Sequence, residues 1–493
     1  ITGAVGRRWF VAADGNDAHD GTSELRALRT PRRALELARD GDFILLRRGD
    51  RFDLPDTLHV HQRDLVLGAY GPGGARFMME QAGVGASTAV DRPILRFHGA
   101  RDGSPILRTH PRAMDVVIED LVFDTIYSQD TDKRRIAQAI KAEGGNLTVR
   151  RCVFLNVEDG LNSNARPVGL LMQQCIAPLT TGLRGYLAWV EGTDHVYLGN
   201  TVVNSTREAP LRISFTGAER VLIAGNHFSN LDRTSVDRLD TSKNALTVHS
   251  GRHVYITGNI LEAGPVAIGP LGERDGFRQP NQQLQWVVFE DNLVRASTLR
   301  ITHGLAGAMI RNNRFWATDR AAINVEGYSR QYQRGSRDIA IVHNTAYNQG
   351  TRGTFLRVGG KVERIRLENN LFIAPGLSPG SHSTAVVYVG GSDLGSFQRI
   401  DGNLWPECRP QPFARGGVFY VWPSWSDARG YLPLPVWNER AGADDRQATV
   451  RLDSSLRPVE LNPAVKRKPA YGVTHDAGGG WRDPAFTSPG AWD

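Results

Sequence analysis

Seven short segments spread through the middle of the chain read alike: Ile140-Lys141-Ala142-Glu143, Leu187-Ala188-Trp189-Val190-Glu191, Leu211-Arg212-Ile213-Ser214-Phe215, Leu246-Thr247-Val248-His249, Leu299-Arg300-Ile301-Thr302-His303, Ile323-Asn324-Val325-Glu326 and Leu356-Arg357-Val358-Gly359. Each alternates apolar with polar residues, the pattern of a β-strand that buries one face. Leu211, Ile213, Leu246, Val248, Leu299, Ile301, Ile323 and Val325 then point inward, and their neighbours point out. One outward column holds Lys141, Arg212, Thr247, Arg300, Asn324 and Arg357; the next holds Glu143, Ser214, His249, Thr302 and Glu326. Cations, a His and a Glu on one wall suit elimination on a sugar acid. A base takes the proton α to the carboxylate, a cation stabilises the developing enolate, and an acid assists the leaving oxygen.

His249, Lys243 or a Tyr could be the base, while Arg212, Arg300 or Lys141 could hold the carboxylate, bidentately or as a point charge. The catalytic candidates are therefore His249, Arg212, Lys243 and Glu326, with Lys141, Arg300, Arg357, Asn324, Tyr328 and Tyr332 as substrate-binding candidates. A C5-epimerase would share the first step, returning the proton from the other face. A glycoside hydrolase instead needs two carboxyl groups about 5 to 10 Å apart, for which Glu191 with Glu326, or Asp240 with Glu326, are candidates. A non-catalytic carbohydrate-binding protein is a third reading, since outward arginines also keep a sheet face soluble.

What must position these strands is a phrase that recurs every 21 to 33 residues, a few β-forming residues followed by Asn and then apolar residues. Copies end at Asn200, Asn226, Asn259, Asn292, Asn313, Asn344, Asn370 and Asn403, and Leu121, Cys152 and Cys175 hold the same place earlier. Segments rich in Val, Ile, Tyr and Phe, split by Gly and Asn turns, exclude helical repeats, and the period is too short for propeller blades. The expected fold is all-β: a single-stranded right-handed parallel β-helix. Asn suits its corners by tolerating left-handed backbone angles, and its amide can pair with the next coil's to form a ladder. Long loops at Asp232 to Lys243, Gly272 to Arg278 and Gly327 to Arg334 are expected to wall a groove beside the columns.

A solenoid of 493 residues can be one elongated domain, because each coil packs only on its neighbours. The expected division is a cap and first coil over 1–70, the helix proper over 71–405, and an irregular section over 406–493 packing back on it. The formal charge of +7 comes from 53 Arg and 6 Lys against 52 acidic residues, and favours an anionic partner. Scattered basic residues without adjacent stacking aromatics argue against nucleic acid; an acidic polysaccharide or oligosaccharide fits better. No 18-residue apolar run spans a membrane. Three Cys make no disulfide framework, Cys152 and Cys175 reading as small buried groups. No nucleotide loop, zinc pair or serine elbow is present, so no organic cofactor is expected. A monomer is the expected state.

In the first seventy residues, Thr30 can N-cap a helix begun by Pro31 and stopped by Gly41, forming a cap for the open first coil. Phe10-Val11, Gly15-Asn16-Asp17, Asp20-Gly21-Thr22, Thr30 with Ala34-Leu35, Gly41 through Asp50 and Leu67-Gly68-Ala69-Tyr70-Gly71 resemble the N-terminal start of secreted bacterial right-handed β-helix proteins. That group includes pectate-lyase-like and alginate-lyase-like enzymes. With the coils the resemblance covers about residues 9 to 405. It implies a secreted or periplasmic, polysaccharide-active protein, but the architecture hosts lyases, hydrolases, epimerases and binding proteins alike. Asp14, Asp17 and Asp20 could hold Ca²⁺, although without EF-hand spacing.

Overall fold

The computed structural model describes residues 6–72, 91–99, 104–125, 137–179, 186–203, 205, 209–230, 244–269, 284–316, 321–327, 335–378, 384–390, 394–408, 419–422, 430–448, 450–459, 470, 473–478, 480–482 and 490–491. The chain forms two compact units, residues 1–245 and 246–493. Both follow one plan, in which every coil contributes short strands to three parallel ladders.

In the first unit the ladder that carries the outward columns runs through Leu58–Val60, Leu107–Thr109, Ile140–Ala142, Asp159–Asn162 and the starts of Tyr186–Leu198 and Leu211–Ala224. A second ladder begins with Arg8–Val11, Phe43–Arg47 and Val66–Tyr70 and ends on the second halves of the same two long strands. A third starts at Arg51–Leu54 and Ile94–Phe97 and ends at His227–Ser229. In the second unit the column ladder is Leu246–Val248, Val266–Ile268, Leu299–Ile301, Ala321–Val325, Thr354–Val358, Val387–Gly390 and Phe419–Trp422, all parallel and in register. The antiparallel strand Gly430–Leu432 pairs with the last of them. Coil-on-coil parallel pairing of this kind is a parallel β-helix. The expected inward residues, from Leu211 and Ile213 to Ile323 and Val325, are essentially fully buried.

The Asn phrase forms the ladder through its side chains. In the second unit Asn292 Oδ1 accepts from both the backbone N–H (3.0 Å) and Nδ2 (2.9 Å) of Asn259. The same paired contact repeats through Asn313, Asn344, Asn370 and Asn403. It ends on Asp445, whose Oδ1 accepts from Asn403 while Oδ2 accepts from the indoles of Trp405 and Trp437. In the first unit the run is Cys175, Asn200 and Asn226, with Cys175 giving only its backbone N–H to Asn200 Oδ1. Cys152 and Cys175 are buried free thiols. One expectation is corrected: no ladder Asn takes a left-handed angle. The residue before it does, namely Gly199, Gly225, Gly258, Asp291, Asn312, His343, Asn369 and Gly402, at φ between 53° and 67°. The Asn must keep an extended backbone to offer N–H and side chain together, so the turn falls one residue earlier.

A helix forms at Pro31–Leu37, with Thr30 Oγ1 accepting from the Arg33 N–H and Pro31, Ala34 and Leu35 buried; it ends at Ala38, whose backbone is extended, and not at Gly41. Asp14, Asp17 and Asp20 do not converge. Asp14 pairs with Arg47, Asp17 accepts from the N–H groups of Arg29 and Thr30, and Asp20 accepts from Thr22 and Arg26. Donors already fill these carboxylates, which act as turn caps rather than a calcium cage. In the second unit Trp437 is fully buried and stacked on Phe419 at 4.5 Å, and Ala470 and Val473 pack on Ala340 and Val342. Among the described residues no helix is long and apolar enough to cross a membrane.

Candidate functional site

Parallel register places the column side chains. In the first unit His59 pairs with Arg108, Arg108 with Lys141, Lys141 with Asn162, Asn162 with Trp189, and Trp189 with Arg212. Neighbouring coils are about 4.8 Å apart, so this is an unbroken stripe of imidazole, three cations, an amide and an indole. Glu143 Oε1 stands 3.6 Å from Arg108 Nε and 3.7 Å from Lys141 Nζ, tying two of the cations together. The Arg212 guanidinium lies over the Trp189 ring at 5.2 Å and donates to the Tyr186 hydroxyl at 2.7 Å. Trp189 in turn donates its indole N–H to Glu191 Oε1 at 2.9 Å. Asn162 Nδ2 donates to buried Asp159, which locks the amide in the stripe.

Lys141 and Arg212 therefore share a column, as expected, but two coils intervene. The strand Asp159–Asn162 escapes an alternation test because Asp, Gly and Asn fill it. In the second unit Thr247, Ala267, Arg300, Asn324, Arg357, Tyr388 and Tyr420 share register. Here the short strand Val266–Ile268 separates Thr247 from Arg300. Arg300 Nε donates to Glu326 Oε1, and His303 Nε2 lies 4.0 Å from Glu326 Oε2 while its Nδ1 contacts the Gly327 carbonyl. Arg357 is exposed and sits 5.1 Å over the Tyr388 ring, which stacks on Tyr420 at 5.4 Å.

His249 follows Leu246–Val248 at the outward position, yet it is only 1 % exposed and Thr247 only 3 %. His249 is buried rather than displayed on an open wall. Lys243, Asp240, Tyr328 and Tyr332 lie outside the described residues, as do the loops expected to wall a groove, apart from Gly327. Of the described surface cavities, one of about 730 Å³ is lined by Trp286, Met309, Arg337 and Asp338 on the second ladder, and neither cavity touches the columns.

Sequence reasoning missed Arg108, Asn162, His303 and three histidines, His59, His61 and His110. The signal was present in His59-Val60-His61 and Arg108-Thr109-His110, each with an alternate residue pointing inward, but these coils lack the Asn phrase that anchors the register. His59 and His110 titrate below the ordinary imidazole value, mainly because of partial burial, then through neighbouring cations Arg108 and His61 for His59, and His61 and His59 for His110. A second trio, Glu290, Asp291 and His475, lies on the second unit, with Glu290 already held by Arg311.

No protein-family profile and no curated protein matches the sequence. Solved structures similar to the chain include a GH136 lacto-N-biosidase from Eubacterium ramulus, at 12 % identity over 78 % of this chain and 67 % of that one, TM-score 0.37. A mannuronic acid specific polysaccharide family 6 lyase from human gut microbiota is similar at 14 % identity over 85 % and 88 %, TM-score 0.44. A pectate lyase is similar at 11 % identity over 80 % and 79 %, TM-score 0.36. These distant likenesses include a hydrolase and lyases and select no chemistry for this chain, whose architecture rests on its own strand register.

Proposed function

We propose that this protein acts on an anionic, uronate-containing polysaccharide and breaks it by β-elimination, with the stripe of the first unit as the substrate-binding wall. The observation that carries the reading is the unbroken register of Arg108, Lys141, Asn162, Trp189 and Arg212. Spaced cations can meet successive carboxylates of a uronate chain, and the indole offers an apolar face to a sugar ring. In this reading Arg108 neutralises the carboxylate of the reacting sugar, which acidifies the adjacent C–H. Lys141 Nζ, after releasing its own proton to solvent, takes that proton; the C–O bond to the leaving sugar breaks as the C=C bond forms, and the proton passes to the leaving oxygen. Arg212 and Trp189 position the chain, and buried Asn162 holds the strand between them. Arg300, Asn324 and Arg357 of the second unit are further binding groups of the same kind. Such a substrate places the working protein outside the cytoplasm.

Elimination is favoured over hydrolysis by the state of the acids. Glu191 is buried and takes the Trp189 indole N–H, and Glu326 is bound by Arg300, so neither stands as an open acid or nucleophile. The test is to incubate purified protein with alginate, pectate, glycosaminoglycans and neutral glycans while following unsaturated product by ultraviolet absorbance and reducing ends in parallel. A lyase produces both signals together, and Lys141→Ala abolishes them. Reducing ends without absorbance would replace the reading with hydrolysis, and epimerised product without chain cleavage would replace it with a C5-epimerase. Binding without any product would leave a carbohydrate-binding protein.

A further inference from the structure

At the first coils of the first unit the outward stripe begins with three imidazoles that the elimination reading does not use. His59 and His61 flank the buried Val60, so strand alternation turns both outward, and the pairing of Leu58 with Leu107 and Val60 with Thr109 sets His61 opposite His110. His59 Nδ1 is 2.9 Å from His110 Nε2. The rings of His61 and His110 stack with centroids 3.8 Å apart, and those of His59 and His61 at 6.2 Å. One ring nitrogen from each residue lies within 4.8 Å of the other two.

We infer that His59, His61 and His110 form a binding site for a divalent transition-metal ion such as Zn²⁺. Three neutral imidazoles are the donor set that Zn²⁺ accepts in an open, three-ligand site, whereas Ca²⁺ and Mg²⁺ require oxygen ligands. Zn–N bonds of about 2.0 to 2.1 Å in a tetrahedral arrangement call for nitrogens about 3.3 Å apart. One nitrogen pair lies at 2.9 Å and all three nitrogens lie within 4.8 Å of one another, so ring rotations of surface side chains suffice to reach that distance. The 2.9 Å nitrogen–nitrogen contact itself demands an unprotonated acceptor on one of the two rings. His59 and His61 are exposed and His110 half-buried, which gives an ion direct entry from solvent and leaves a fourth position for water or an oxygen ligand. Arg108, one register step from His59, opposes a cation, while Glu143, tied to Arg108, offsets that charge. The Arg32 side chain, on helix Pro31–Leu37, adds a weaker opposing charge.

The experiment uses the full chain without a histidine tag, stripped with a chelator and then titrated with ZnCl₂ by calorimetry and with CoCl₂ by absorption spectroscopy. The expected result is one equivalent of tight binding, a visible Co²⁺ band of the intense tetrahedral type, and no such response to Ca²⁺. His59→Ala, His61→Ala and His110→Ala each weaken Zn²⁺ binding by at least as much as loss of an outer-shell partner, about 10- to 100-fold. Thermal melts of the metal-free variants that match the wild type show that the loss is at the site; a variant that fails to fold is replaced by the corresponding His→Asn change. Absence of stoichiometric binding to the wild type overturns the inference, as does tight Zn²⁺ binding that survives the triple His→Ala variant. Both readouts are independent of glycan cleavage, so the elimination reading and the metal site stand or fall separately.

Discussion

Arg212 holds its guanidinium over the Trp189 ring while donating to the Tyr186 hydroxyl, so two aromatic partners orient its charge. Lysine at this position keeps the charge and loses both the planar stack and the forked donor geometry. Arg212→Lys should therefore raise KM for a uronate polymer by about fivefold to thirtyfold, the worth of a partly desolvated cation–π contact of about 1–2 kcal/mol, and leave kcat nearly unchanged. Lys141→Ala should instead collapse kcat; equal effects of the two changes on kcat would remove the distinction between positioning and proton transfer. Away from the stripe, Asp291 sits at φ 55° before a ladder Asn, and burial, reinforced by Glu290, pushes its carboxyl up from 3.8 to about 6. A folded-state pKa above the unfolded one means that the native chain holds the extra proton. The stability this contributes is complete below about pH 4 and is lost as pH rises through about 6. Asp291→Asn, which keeps the left-handed preference, should raise the free energy of unfolding at pH 7 by on the order of 1–2 kcal/mol and make no difference at pH 3.5. Denaturant titrations at the two pH values check this, and an equal gap at both would show that ionisation is not the cause.

Among the elements, the amide ladder is what each coil gives its neighbour beyond strand pairing. Asn292 Oδ1 serves two donors of Asn259, and its Nδ2 reaches Asn313 and the Ile256 carbonyl, all without access to water. Asn292→Ala removes these four buried side-chain contacts, at a cost of about 2–4 kcal/mol. Equilibrium unfolding should show the loss; a change below about 0.5 kcal/mol would mean that the ladder adds little to the strands. The last rung has stricter chemistry. Asp445 takes four N–H donors from Asn403, Trp405 and Trp437, and burial raises the pKa of its carboxyl, so it trades desolvation against a full set of donors. Asp445→Asn points an amide N–H at two indole N–H groups. It should destabilise the second unit by about 1–3 kcal/mol, read from the shift of Trp fluorescence on denaturation.

For the molecule as a whole, the net charge of +7 sets how an anionic polymer arrives. Raising ionic strength from about 0.1 M to about 1 M shortens the screening length from about 10 Å to about 3 Å. Affinity for a polyuronate should therefore fall at least about tenfold over that range, while any affinity for a neutral glycan stays level. Binding measured by affinity electrophoresis or calorimetry decides it, and salt-insensitive binding of a polyuronate would argue that the stripe is not its contact surface.

Repeat length, alternation and residue type determined the coils, the buried set, the amide ladder and the outward placement of Lys141, Arg212, Arg300, Asn324 and Arg357. Each follows from local periodicity, because in a solenoid a residue's neighbours are the residues one period away. Tertiary structure alone decided the rest. Strands such as Asp159–Asn162 and Val266–Ile268 are too short or too polar to carry a pattern, and they insert coils that set Arg212 apart from Lys141 and Thr247 from Arg300. His249 has the sequence of an exposed residue and the burial of a core one, because alternation within a strand does not report what packs against its outward side. The convergence of His59, His61 and His110 depends on the lateral register of two strands about fifty residues apart, a quantity fixed by packing between coils and written in neither strand by itself.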